Sequence, residues 1–185
     1  MSRFRVCLAL SIVAGLLGPG PLRAAPDRTL DALFAKLAQA GTPERAKPLE
    51  QEILGRFLAS DSATVGLLMT RAAGLVAASD PHTAEKLLEA VTKIAPDYAE
   101  GWHQLAKLEM DSGRDEAALV GLQKTVKLNP REFEAIVDLG DMEMQYGAKA
   151  AALAQYRRAL ALDPHLEGLD RRVEALRREV EGEKI

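Results

Sequence analysis

One period of 34 residues runs through the middle of this chain and limits its possible folds more than any other feature. Within Ala99 to Glu132, the residues Trp102, Leu105, Ala106 and Glu109 recur at the spacing that gathers side chains on one face of a helix. Gly113 interrupts the run. A second begins at Asp115, carries Ala118, Leu122, Thr125, Val126 and Leu128, and stops at Asn129-Pro130. There proline lacks the N–H a helix needs and pushes the preceding residue out of helical geometry. A step of 34 residues onward turns Leu105 into Leu139, Gly113 into Gly147, Ala118 into Ala152 and Pro130 into Pro164, and a step back reaches Ala84 and Pro96. Each unit is therefore a helical hairpin whose apolar face requires a neighbour.

This period, with Trp, Leu, a small residue, Ala and Pro at these offsets, resembles the tetratricopeptide repeat. The resemblance spans Val65 to Pro164 and implies an all-α fold, a right-handed α-solenoid of antiparallel helix pairs, with units at 65–98, 99–132 and 133–164. The small residue in each second helix, Ala84, Ala118 or Ala152, lets two helices approach to the short end of the usual 8–10 Å range. One position departs from the pattern. Where an aromatic is usual the three units have Leu75, Glu109 and Glu143, which places two carboxylates near a helix seam.

The flanks differ in character. Arg3 and Arg5, then the apolar run Val6 to Leu17, a Gly-Pro break and Ala24-Ala25 read as a secretory signal peptide over residues 1–24. Its apolar run is too short to span a bilayer, so no stable membrane insertion is expected after cleavage. Residues 25–62 read as a helical hairpin, a degenerate or capping repeat, with Leu30, Leu33, Phe34 and Leu37 on one helix, Leu49, Ile53, Leu54 and Phe57 on the next, and Pro48 in the first turn of the second. Residues 165–185 form a capping helix with the apolar stripe Leu166, Leu169, Val173, Leu176 and Val180; Glu167 with Arg171 and Glu174 with Arg178 have i, i+4 spacing.

Composition and motifs exclude several functions. The net charge of -3 becomes -6 once Arg3, Arg5 and Arg23 leave with the leader, a poor basis for binding nucleic acid. The single cysteine, Cys7, lies in that leader, so the processed chain has no disulfide and no thiol chemistry. His82, His103 and His165 fall in different units without metal-ligand spacing, and no phosphate loop or nucleophile motif occurs. No catalytic residue, cofactor or metal site is expected.

Helix geometry and the resemblance together give a candidate surface. In tetratricopeptide arrays the first-helix residues turned away from the partner helix line a concave groove for extended or helical peptides. Here they are Met69, Ala73 and Val76 in the first unit, with Gly66 and Ala77 beside them. The second unit supplies Glu100, His103, Lys107, Met110 and Asp111, and the third Glu134, Val137, Asp141, Met144 and Gln145. The groove should grade from apolar to acidic. Lys107 and Asp141 occupy equivalent places and are expected to pair. Met69, Met110 and Met144 suit packing, adaptable peptide contact or a thioether cluster for Cu(I). The lysine and asparagine pattern that clamps a peptide's terminal carboxylate is missing.

The expected function is an exported, non-catalytic protein-interaction module, periplasmic in a Gram-negative host. It would be an adaptor in envelope assembly or secretion, or else a small holdase chaperone for apolar segments. A third possibility is that the N-terminal hairpin fills the groove and leaves the convex face to work.

Overall fold

The computed structural model describes residues 28–182. The expected leader lies outside them. The described residues form nine α-helices: α1 (Arg28–Ala38), α2 (Pro43–Leu58), α3 (Ala63–Ala77), α4 (Pro81–Ile94), α5 (Ala99–Asp111), α6 (Asp115–Leu128), α7 (Phe133–Gln145), α8 (Lys149–Leu162) and α9 (Leu169–Glu181). Local chemistry sets their starts. Ser62 accepts a bond from the Val65 amide at 3.4 Å, and Asp80 accepts one from Thr83 at 3.1 Å ahead of Pro81, so both helices begin with side-chain caps. In α2, Pro43 already fills the first position, which puts Pro48 inside the helix instead of in its first turn. The hairpin turns of the three units share one left-handed residue: Ser79 (φ 60°), Gly113 (φ 70°) and Gly147 (φ 75°). Glycine adopts that conformation without the steric penalty serine meets in the first unit.

Helices α3 to α8 pack as three consecutive hairpins, and each second helix also packs on the first helix of the next unit. The small-residue rule holds inside: Ala84, Ala118 and Ala152 are all fully buried. A second size relation runs across each hairpin. In the first two units Ala72 shares a cluster with Leu88, and Ala106 with Leu122. In the third the corresponding residues are Gly140 and Tyr156. A methyl group placed on Gly140 would lie 2.5 Å from the Tyr156 ring, so glycine here makes room for the larger partner. Helix α9 closes the far end by burying Leu169 and Leu176 against Ile136, Leu153 and Tyr156. Glu167 lies before this helix, so the i, i+4 pair expected with Arg171 does not form, whereas Arg178 does reach Glu174 at 3.2 Å.

The N-terminal hairpin behaves differently. Instead of stacking on α3 as one more unit, α2 packs against α5. The hairpin's apolar cluster of Leu33, Phe34, Leu37, Ala46 and Ile53 is completed by Phe133 from α7, with Leu162 and Leu166 at its edge. Phe34 meets Phe133 edge to face at 6.4 Å, a preferred aromatic geometry. The Arg131 guanidinium sits 4.0 Å from the centre of the Phe34 ring and pairs with Asp31 at 2.5 Å. At the other end of α2, the Tyr98 hydroxyl donates to the Leu58 carbonyl at 2.6 Å. The hairpin thus lies across first helices α5 and α7, the side on which the register places the groove.

Candidate functional site

The candidate residues separate into three groups. Met69, Ala73, Val76, Lys107 and Asp111 line one cleft of about 340 Å³ between α3 and α5, together with Ala72, Leu88, Gln104 and Leu108 and closed on one side by Leu58 of α2. Its rim is apolar: Leu58 is 50% and Val76 46% exposed, while Met69 is buried in the floor. Lys107 and Asp111 supply one charge of each sign at the edge.

The third-unit candidates are engaged elsewhere. Asp141 accepts a bond from the Tyr156 hydroxyl at 2.6 Å and a charged one from Arg172 of α9. The expected Lys107–Asp141 pair is replaced by this arrangement, because α9 brings a guanidinium closer than the neighbouring unit can. Gln145 donates to Asp115 at 2.9 Å. Val137 and Met144 pack on the α7–α8–α9 core, Met110 packs on the α5–α6–α7 core, and Glu134 is half-buried. The three methionines therefore belong to three separate clusters, which rules out the thioether site.

The third group, Glu100 and His103, is buried and not displayed. His103 is 1% exposed and joins α5 to the turn before α7. Its Nε2 lies 2.9 Å from Asp138 Oδ2; because an ionised carboxylate only accepts, the ring carries its proton there. Its Nδ1 lies 3.1 Å from Glu132 Oε1 and 3.7 Å from Glu100 Oε2. Burial alone would make His103 harder to protonate, but hydrogen bonds with Asp138, Glu100 and Glu132 outweigh it and raise its pKa well above the ordinary value. Burial pushes Glu132 up, as does the neighbouring Glu100 charge, while His103 pulls it down. For Glu100, burial is overcome by bonds with His103 and Glu132, and its pKa is lowered. Sequence reasoning placed His103 in an open groove and missed this cluster, since Glu132 and Asp138 come from the next turn and helix. The available signal was the accumulation of acids beside one histidine in a 34-residue frame.

The two seam carboxylates are also accounted for. Burial raises the pKa of both Glu109 and Glu143, countered at Glu109 by Arg114 and at Glu143 by a 3.4 Å bond from Gln155. On α9, Arg177 and Arg178 both bind Glu174, and Lys149 and Arg157 from α8 bind Glu179 and Glu181. Acids thus neutralise much of the terminal basic stretch. No helix among the described residues is long and apolar enough to cross a membrane.

Residues 75–139 match the family model described as tetratricopeptide repeat. A TPR repeat-containing protein of Rhizobium etli is 27% identical over 139 residues, covering 75% of this chain and 68% of its own. Among solved structures, MamA is similar with a TM-score of 0.58 at 17% identity, over 83% of this chain and 82% of that one. The Yersinia enterocolitica type III secretion chaperone SycD, solved in complex with a peptide of the translocator YopD, has a TM-score of 0.57 at 17% identity, over 65% of this chain and 95% of that one. Residues 75–139 thus carry the tetratricopeptide repeat, within an all-α fold of antiparallel helix pairs.

Proposed function

We propose that this protein is a non-catalytic adaptor that binds a partner protein segment in the cleft between α3 and α5. One observation carries the reading: five residues assigned to the groove from sequence register converge on one open apolar cleft with exposed hydrophobic walls at Leu58 and Val76. Exposed apolar side chains gathered around a concavity favour burial by a partner. A segment with one or two apolar side chains flanked by a polar backbone fits its size and its two rim charges. That the structurally similar chaperone SycD was solved with a peptide supports a peptide-binding role for this fold. The sequence at residues 1–24 supports export, and with it a role in the envelope.

The hairpin α1–α2 favours binding in the N-terminal half of the array, because Phe34 and Leu162 already occupy the space beside Phe133. A holdase is the second reading, supported by the same exposed leucine and valine. The experiment places a photoreactive residue at position 76 in the full chain, expressed in its host, and a second at Lys124 on α6. One dominant adduct at 76 supports the adaptor. Many weak adducts at 76 favour the holdase, and adducts only at 124 reject the cleft.

A further inference from the structure

The buried cluster on α5 has a feature that its hydrogen bonds leave unresolved. Each of its three side chains is held from outside by a separate partner. Gln104 donates to Glu100 Oε1 at 2.6 Å, Asn129 donates to Glu132 Oε2 at 3.0 Å, and Asp138 takes the Nε2 proton of His103. What remains inside is Glu100 Oε2, Glu132 Oε1 and His103 Nδ1, the two oxygens lying 3.7 and 3.1 Å from Nδ1, and the three residues each bring one ligand atom within 4.8 Å of the others. With Nε2 protonated and the second ring proton displaced by an entering ion, all three inner atoms present lone pairs. Glu132 Oε1, on a side chain 1% exposed, lies 3.1 Å from Nδ1 but receives no well-aligned hydrogen bond. A positive centre is called for where they converge, and without an ion the second ring proton of His103 supplies it.

We propose that Glu100, His103 and Glu132 form a binding site for a divalent transition-metal ion, best fitted by Zn²⁺, with Asp138 holding the imidazole in the ligating tautomer. The donor set is one imidazole nitrogen and two carboxylate oxygens. That mixture suits zinc and its neighbours better than calcium or magnesium, which take oxygen alone and in greater number. Bond lengths of about 2.0–2.2 Å around a tetrahedral ion imply donor separations of roughly 3.3–3.6 Å. The observed Nδ1 separations of 3.1 and 3.7 Å bracket that range. A carboxylate on the far ring nitrogen is the usual outer support of a metal-bound histidine. Two carboxylates and a neutral imidazole balance a divalent charge, whereas a single proton leaves the buried cluster negative. Glu100, whose side chain is 10% exposed, is the ligand nearest to solvent. The bound ion would tie α5 to the turn ahead of α7 and so lock the second unit to the third.

The test titrates Zn²⁺ into the full chain after chelation, and follows stoichiometry by native mass spectrometry, affinity by calorimetry, and the ligand field by the visible spectrum of the Co²⁺ form. One ion per chain is expected. Glu132→Gln, which keeps the shape of the side chain, should abolish stoichiometric uptake. Asp138→Asn leaves all three ligands in place on a partly exposed residue and should weaken binding by about 10- to 100-fold. Substoichiometric uptake by the wild-type chain, or unchanged affinity in Asp138→Asn and in a folded Glu132→Gln, overturns the site and leaves an imidazolium among carboxylates. If Glu132→Gln does not fold, the wild-type stoichiometry and Asp138→Asn still decide.

Discussion

The two halves of the groove carry the same register positions and have opposite fates. In the N-terminal half, Met69, Ala73, Val76, Lys107 and Asp111 line an open cleft. In the C-terminal half, Asp141 is bound to α8 and α9, Met144 is packed beneath α9, and Phe133 is covered by the N-terminal hairpin. Nothing in the repeat itself makes this difference. It arises from the two non-repeat elements, since α9 settles on the third unit and the N-terminal hairpin lies across α5 and α7. The lesson is that repeat register determines which way a side chain points, while the flanks determine whether a partner can reach it.

Five substitutions would break or sharpen that contrast. The largest effect is expected from Phe34→Ala, which removes the ring shared with Phe133 and Arg131; loss of a buried phenylalanine typically costs about 3–5 kcal/mol. Amide exchange should accelerate throughout α1 and α2 while α3 and α4 stay protected. Uniform acceleration would mean the hairpin is integral to the array and not laid upon it.

Gly140→Ala comes next. Its methyl meets the Tyr156 ring at 2.5 Å, and overpacking of this kind costs about 1–3 kcal/mol, to be read from denaturant midpoints. The same change at Gly74, whose added methyl meets nothing within 4 Å, should be neutral or stabilising. Equal effects would remove the size relation between the units.

Arg131→Ala loses a cation–π contact of about 0.5–1 kcal/mol and an exposed pair worth about 0–1 kcal/mol. It should raise protease sensitivity at residues 59–62 without altering total helicity. Unchanged cleavage would assign the docking to the apolar cluster alone.

The smallest effect is a pH dependence at the hairpin's other contact. Burial and the facing Asp163 charge raise the pKa of Glu50, against His165 and Lys47, and burial raises Asp163, against the His165 amide and ring. Both groups bind protons more tightly when folded. Their contribution is therefore fully present below the ordinary values of 4.5 and 3.8 and is lost as pH rises through the raised ones. Glu50→Gln should make the docked hairpin less sensitive to pH above this range, with a small gain in melting temperature near neutrality. A pH profile identical to wild type would show that the two carboxyls do not interact.

How far this could be read from sequence follows from where each constraint resides. The helices and their pairing were legible because they depend on local periodicity, with α5 to α8 beginning and ending close to the expected breaks. The open cleft was legible too, since it lies between adjacent units in one register. The hairpin's return across α5 and α7 was not, because contact between residue 34 and residue 133 leaves no periodic trace. A signal was nevertheless present. The chain has four phenylalanines, and three of them, Phe34, Phe57 and Phe133, meet in this one cluster. The Glu100–His103–Glu132 cluster was hidden for a related reason, as the expectation for His103 considered its helix face and not the turn that closes over it.

The glycine beneath Tyr156 has a consequence for how such an array can change over generations. Repeat proteins are often pictured as strings of exchangeable modules that lengthen by duplicating a unit. Here the third unit is matched inward, Gly140 to Tyr156, and bound outward, Asp141 to Arg172. A copied α5 joined to the original α8 would set Ala106 against a tyrosine, and a copied α7 joined to α6 would face Leu122 with an empty space. Growth of this chain by recombination is therefore confined to whole hairpins, and insertion next to α9 carries the added loss of the Asp141 contact.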